Sequence, residues 1–133
     1  GRLFFNVWDR IEDSEFTDVV VQAMAELFPN DPPRFMARTP HGYHDRDLIR
    51  SDLERAGFAD ITIDAVDHVS RAPSPREPAI AICQGTPMRG EIEALDPSGL
   101  AATTDVAAAA LRSAYGTGAI EAPMQAVVVI ASK

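Results

Sequence analysis

The chain has 133 residues, 46% of them hydrophobic, which suits one domain with an ordinary packed core. Its formal net charge of −8 argues against a nucleic-acid partner and against docking on anionic lipid, both of which need a surplus of Lys and Arg. No stretch is apolar for long enough to span a bilayer, and a single cysteine, Cys83, excludes an internal disulfide and makes a reducing cytoplasm the expected compartment.

The opening segment GRLFFNVWDR carries Leu3, Phe4, Phe5 and Val7 in a run of strand formers. It reads as a buried strand over 2–8 that needs neighbours on both sides. Asp13 or Ser14 then caps a helix in which Phe16, Val19, Val20, Ala23, Met24 and Leu27 recur at helical spacing. Glu15 and Asp18 sit near its start, where the helix dipole favours negative charge, and PNDPP (29–33) ends it. Residues 34–44, RFMARTPHGYH, show no period and read as a loop. A helix over 45–56 follows, with Leu48, Ile49, Leu53 and Ala56 inward, Gly57 as its C-terminal cap and Phe58 as the apolar residue that closes the cap.

ADITIDAVDHVS reads as a strand with one solvated face; its alternation slips at Ala65 and Val66, a pattern that admits a bulge. SPREPAIAIC opens the next helix, with Ser74 as N-cap, Pro75 as the first helical residue and Glu77 as the reciprocal capping partner. Gly85 stops it, Thr86-Pro87 restarts a short helix to about 94, and an alanine-rich helix spans 100–115 before Gly116. MQAVVVIAS (124–132) is apolar on both faces and reads as a central strand. The expected fold is therefore α/β: a three-stranded mixed sheet with four or five helices, in one domain over 1–133.

The succession GRLFFNVWD, LIRSDLERAGFADITIDAV and MQAVVVIASK resembles the second half of a class I S-adenosylmethionine-dependent methyltransferase, nearest to the small-molecule branch that includes quinone-biosynthesis enzymes. In that family the sheet ends with strand five, helix, strand six, helix, strand seven. Strand seven lies between the other two. The resemblance implies the C-terminal part of a Rossmann-like sheet. It also implies a partial domain lacking the cofactor-binding half, because no glycine-rich loop follows a strand and opens a helix here. S-adenosylmethionine is then the cofactor of the complete protein and is not expected to bind this chain tightly. The neighbours that the first strand needs are expected upstream, outside the chain. With one flank open, that strand is expected to pair two copies into a homodimer.

In open α/β sheets ligands bind beyond the carboxyl ends of the parallel strands, where Trp8, Asp9 and Arg10 fall. The resemblance makes the 34–44 loop a lid. Phe35 and Met36 are its apolar substrate contacts, Arg38 and Tyr43 orient polar groups, and His41 is the candidate general base. Met88 and Arg89 are candidate contacts from a second lid segment. His41 and His44, with Asp45 and Asp47 nearby, lack a third placed ligand and make a weak metal motif. Cys83 on an apolar helix face reads as a buried structural thiol, and His68 as a structural residue on a strand. The alternative to an enzyme is a non-catalytic small-ligand-binding or dimeric interaction module.

Overall fold

A computed structural model describes residues 1–133 as an α/β fold. In chain order it runs β1 (Arg2–Trp8), a short 3-10 turn (Ile11–Asp13), α1 (Glu15–Leu27), α2 (Phe35–Arg38), α3 (Arg46–Arg55), β2 (Asp60–Ala72), α4 (Arg76–Gly85), α5 (Met88–Leu95), α6 (Leu100–Tyr115) and β3 (Ile120–Ser132). There are thus six α-helices rather than four or five. The extra one is the single turn α2, inside the stretch read as a loop. The strand order is β1-β3-β2, with the last strand central as its apolar faces predict. The sheet is not mixed: β3 pairs antiparallel with both neighbours, so β1 and β2 run parallel to each other without touching.

β2 and β3 form a ribbon with an unbroken register from Asp60↔Ser132 to Ala72↔Ile120, and the expected bulge is absent. Directly opposed residues share a face. Phe5, Val129 and Ile63 therefore lie on one face, and there they meet Ile49 and Leu53 of α3 in the smaller apolar cluster. Ile120 and Ala122 lie at the other end of β3 and on the opposite face. They join the larger cluster, built from α1, α4, α5 and α6 around Met24, Met88, Ile92 and Leu111. The ribbon is therefore covered on one face at one end and on the other face at the other end. Between the two covers Asp64–Val69 are exposed on both faces, which is why the alternation slips at Ala65 and Val66.

β1 is an edge strand with its outer flank open, and it is not the buried strand its apolar run suggests. Phe4 is 61% exposed, and Leu3 and Trp8 are exposed as well. In α1, Phe16, Val20, Ala23 and Met24 are buried, while Leu27 on the last turn is exposed. In α3, Ile49 and Leu53 are buried as predicted; Leu48 and Ala56 face solvent, because the helix lies on one narrow sheet and has only one covered stripe.

The cap of α3 follows from its sequence. The Phe58 N–H donates to the Leu53 carbonyl and the Gly57 N–H to the Glu54 carbonyl, and Phe58 packs on the cluster that holds Leu53. Gly57 sits at φ 86°, a conformation costly for any residue with a Cβ. At α4 the N-cap is Pro75 rather than Ser74 and no side chain closes a reciprocal cap; the Ser74 hydroxyl instead accepts from the Arg76 N–H and donates to Glu77 Oε2, one residue ahead of the cap. That bond from Ser74, with backbone N–H groups, holds the Glu77 carboxyl below its ordinary value. No helix is long and apolar enough to cross a membrane.

Candidate functional site

The end of β1 is tied down in three directions. The Asp9 N–H donates to the Gln125 carbonyl at 3.1 Å, extending the ladder one residue past Trp8. The Asp9 side chain is buried and receives Arg46 Nη2 of α3 at 2.7 Å and the Arg10 N–H at 2.9 Å. The Asp9 carbonyl takes a hydrogen bond from His41 Nδ1 at 2.8 Å. Burial alone would raise the Asp9 pKa. The hydrogen bonds from Arg46 and the Arg10 N–H, with the Arg46 charge, outweigh it, so the carboxyl lies below its ordinary value and is ionised at neutral pH.

His41 reaches this position through local geometry. After α2 the chain reverses, with the His41 N–H donating to the Met36 carbonyl and the Gly42 N–H to the Thr39 carbonyl. A Cβ at Gly42 would collide with the Arg38 carbonyl, so the residue after His41 has to be glycine for this turn to close. The front of α2 is fixed from a distance: the Glu91 carboxylate on α5 accepts from the Arg34 and Phe35 N–H groups, the latter at 2.9 Å.

His41 is only 4% exposed, and its ring lies 6.2 Å from that of Trp8. A backbone carbonyl can only accept, so Nδ1 carries the proton and Nε2 of the neutral ring carries the lone pair. Nε2 has no hydrogen-bond partner in the chain, and it is not sealed from solvent.

Beside it lies a half-open cavity of about 210 Å³. Its apolar walls are Trp8, Phe16, Met36 and Met124; its polar lining is Ser14, Thr17, His41 and Ser70. It sits at the carboxyl ends of β1 and β2, beneath the start of α1. Ser14 occupies the N-cap position of α1, but its side chain makes no capping bond. Its Oγ is buried without any hydrogen-bond partner, the one such side-chain atom in the structure. Sequence reasoning saw Ser14 only as a cap. Nothing local separates a capping serine from one whose hydroxyl is left buried and unpartnered.

Of the residues singled out from the sequence, the structure brings together Trp8, Met36 and His41. The others lie elsewhere. Phe35 packs on the helical cluster. Arg38 is exposed. The Tyr43 hydroxyl donates to Asp52 Oδ2 at 2.7 Å, and its ring packs on the α3 cluster. Burial and that carboxylate raise the Tyr43 pKa, while Asp52, held by Tyr43 and then Arg55, is lowered. Met88 is fully buried in the helical core, and Arg89 is spent on Glu93 one turn on, so the second lid segment is part of the helical packing. Cys83 is buried in the same core, which pushes its thiol up to about 11. No group of three His, Cys, Asp or Glu side chains converges as a metal site would require.

No protein-family model matches the chain, and no curated protein matches it.

Proposed function

We propose that this chain forms the substrate side of an S-adenosylmethionine-dependent methyltransferase acting on a small molecule. The observation that carries the reading is where the cavity lies. It opens at the carboxyl ends of two parallel strands, β1 and β2, which flank an antiparallel β3, the order the resemblance gives for the last three strands of a Rossmann-like methyltransferase sheet. His41 Nε2 then supplies a base at the cavity wall, held in one tautomer by the Asp9 carbonyl.

The methyl donor itself does not fit the residues described here. The turn after β1, Asp9-Arg10-Ile11, has no glycine to bring backbone N–H groups close to a ligand, and the acid at the strand end is committed to Arg46. In this reading the donor is held by residues outside the chain. The coding sequence upstream of Gly1 tests it. A strand, a glycine-rich turn and an acidic residue ending the next strand are expected; a start codon immediately before Gly1 refutes it. Expressed from the full reading frame, the protein should transfer label from the donor, and His41→Ala should lower that rate at least 100-fold.

A second reading, a non-catalytic ligand-binding module that works as a dimer, is favoured by the outer edge of β1. That edge has no partner, and Phe4 and Leu3 stand exposed beside it. The opposite edge, β2, carries Asp60, Asp64, Asp67 and Arg71, charges of the kind that discourage strand pairing; on β1 only Arg2 is charged. Two copies pairing antiparallel about Phe5 set Arg2 opposite the partner's Trp8 and bring no like charges together. Sedimentation at high concentration should show a dimer that Phe4→Lys dissociates. A monomer at every concentration rules the pairing out.

A further inference from the structure

The open edge of β1 has a hydrogen-bonding pattern that follows from its paired edge. Antiparallel neighbours alternate between pairs that exchange both backbone bonds and pairs that exchange none, so each strand residue directs its N–H and C=O to one side only. At both ends of β1 the groups that reach β3 belong to odd-numbered residues. The Asp9 N–H donates to the Gln125 carbonyl at 3.1 Å, and the Gly1 carbonyl accepts from the Lys133 N–H at 3.3 Å. Both contacts continue the register that sets Arg2 against Ser132 and Trp8 against Ala126. The even residues Arg2, Phe4, Asn6 and Trp8 therefore turn their backbone groups outward, where no strand meets them.

A second copy bonds to this edge in antiparallel fashion only where even residues oppose even ones; a slip of one residue sets outward groups against inward ones. Among the registers that remain, the one centred on Phe5 pairs the whole of Arg2–Trp8. It lets Arg2 exchange bonds with the partner's Trp8 and Phe4 with the partner's Asn6, and it sets Leu3 against the partner's Val7. Centring on Phe4 or Asn6 leaves one end of the strand without a partner.

Opposed residues share a face, so Arg2 falls beside the partner's Trp8 on the face where Trp8 and Met124 line the cavity. Within one chain Arg2 lies six residues, about 20 Å, from Trp8 and rests over the Phe4 ring at 5.7 Å. Only a partner brings it to Trp8, whose indole is 41% exposed and open to a cation. None of the residues lining the cavity is Asp, Glu, Lys or Arg.

We propose that a second copy of this chain completes the cavity: the two β1 strands pair in the register centred on Phe5, and the partner's Arg2 stands over Trp8 as a cation at the mouth. The proposal rests on the dimeric reading above and is incompatible with an upstream strand on the same edge.

The test is disulfide trapping in the full chain. Arg2→Cys and Trp8→Cys are made separately; both positions are exposed, and the native Cys83 is buried. Opposed residues of a bonded pair have Cα atoms about 5.5 Å apart, within the span a disulfide bridges. Mixed under mild oxidation, the two variants should form a cross-linked dimer that neither forms alone. No cross-link in the mixture, or one formed by either variant by itself, overturns the register. Trp8 is the only tryptophan, so its fluorescence reports the partner's Arg2 in the unmodified protein. Where sedimentation shows a dimer, iodide should quench Trp8 more strongly, relative to neutral acrylamide, than in the dilute monomer, because the cation draws the anion. Arg2→Gln should abolish that excess in a chain that still dimerises; an unchanged excess removes Arg2 from the mouth. A dimer that fails these tests refutes the composite cavity and leaves the dimeric reading standing, whereas a chain monomeric at every concentration ends both.

Discussion

Replacing Asp9 by alanine removes one carboxylate from the junction of β1, α3 and the His41 turn. The carboxylate accepts from Arg46 at 2.7 Å and from the Arg10 N–H at 2.9 Å, both as charge-assisted bonds. Such bonds contribute roughly 1.5–3 kcal/mol each in favourable settings. Breaking a fully buried ion pair costs about 3–5 kcal/mol, because the surviving charge is stranded. Arg46 is not stranded here: its side chain is 44% exposed and can turn to water, so the cost falls below that range, at about 2–3 kcal/mol. The assay is urea unfolding of wild type and Asp9→Ala at several pH values. The Asp9 pKa is lowered on folding from its ordinary value of 3.8. Its contribution is therefore complete above the unfolded value and disappears as pH falls through the lower folded value. The two proteins should differ fully near pH 7 and converge in strong acid. Equal stability at neutral pH, or a gap that persists undiminished below the folded pKa, would refute the ion-pair argument. The His41 Nδ1 bond goes to the Asp9 backbone carbonyl, so it should survive the substitution and its imidazole proton signal should remain.

Gly57→Ala places a Cβ at φ 86° where no neighbouring atom obstructs it, so the cost is that of the backbone alone. A loss of about 1 kcal/mol is expected, read as a fall of about 3–5 °C in Tm; an unchanged or higher Tm would contradict the assignment of this cap. Cys83, with its thiol pushed up to about 11 by burial, should react with a disulfide reagent at least 100-fold more slowly in the native protein than in urea. Labelling of the native protein at the rate of free cysteine would place the thiol outside the core.

What could be read in advance was what neighbours in sequence decide. The α6 helix takes the bounds 100–115 because alanine-rich helical sequence runs uninterrupted to Gly116. The cap at Gly57-Phe58 is closed by residues within a few positions of each other, as is the Ser74–Glu77 bond ahead of α4, although the N-cap there is Pro75. The central position of β3 follows from its apolar residues on both faces. What stayed hidden was decided by distant partners. The turn α2 is anchored by Glu91, which is 57 residues from Arg34, and neither segment signals the other. Tyr43 has the look of a substrate contact in a loop, yet its hydroxyl is taken by Asp52 from the next helix. Met88 reads as a lid residue until the helical cluster encloses it. Within the site, Trp8 and His41 were legible because the end of a strand and an unusual loop histidine both stand out. Phe16, Thr17, Ser70 and Met124 were not, since each looks like an ordinary helix or strand residue until the ribbon brings them together.

The ribbon's two covers, set on opposite faces at opposite ends, divide the molecule into regions of unequal strength. The cluster beneath α3 holds five buried apolar residues and the helical cluster fifteen. Amide hydrogen exchange should therefore come in two tiers: α3 and β1 exchange through partial opening, while α4 and α6 wait for global unfolding. The cavity spans this divide, with Trp8 on β1 and Phe16 and Met36 among the helical packing. A bound molecule touches both regions, so occupancy should slow exchange in α3 and β1 out of proportion to its slight effect on the helices. Such a ligand acts as a clasp between two parts of the chain that otherwise open independently.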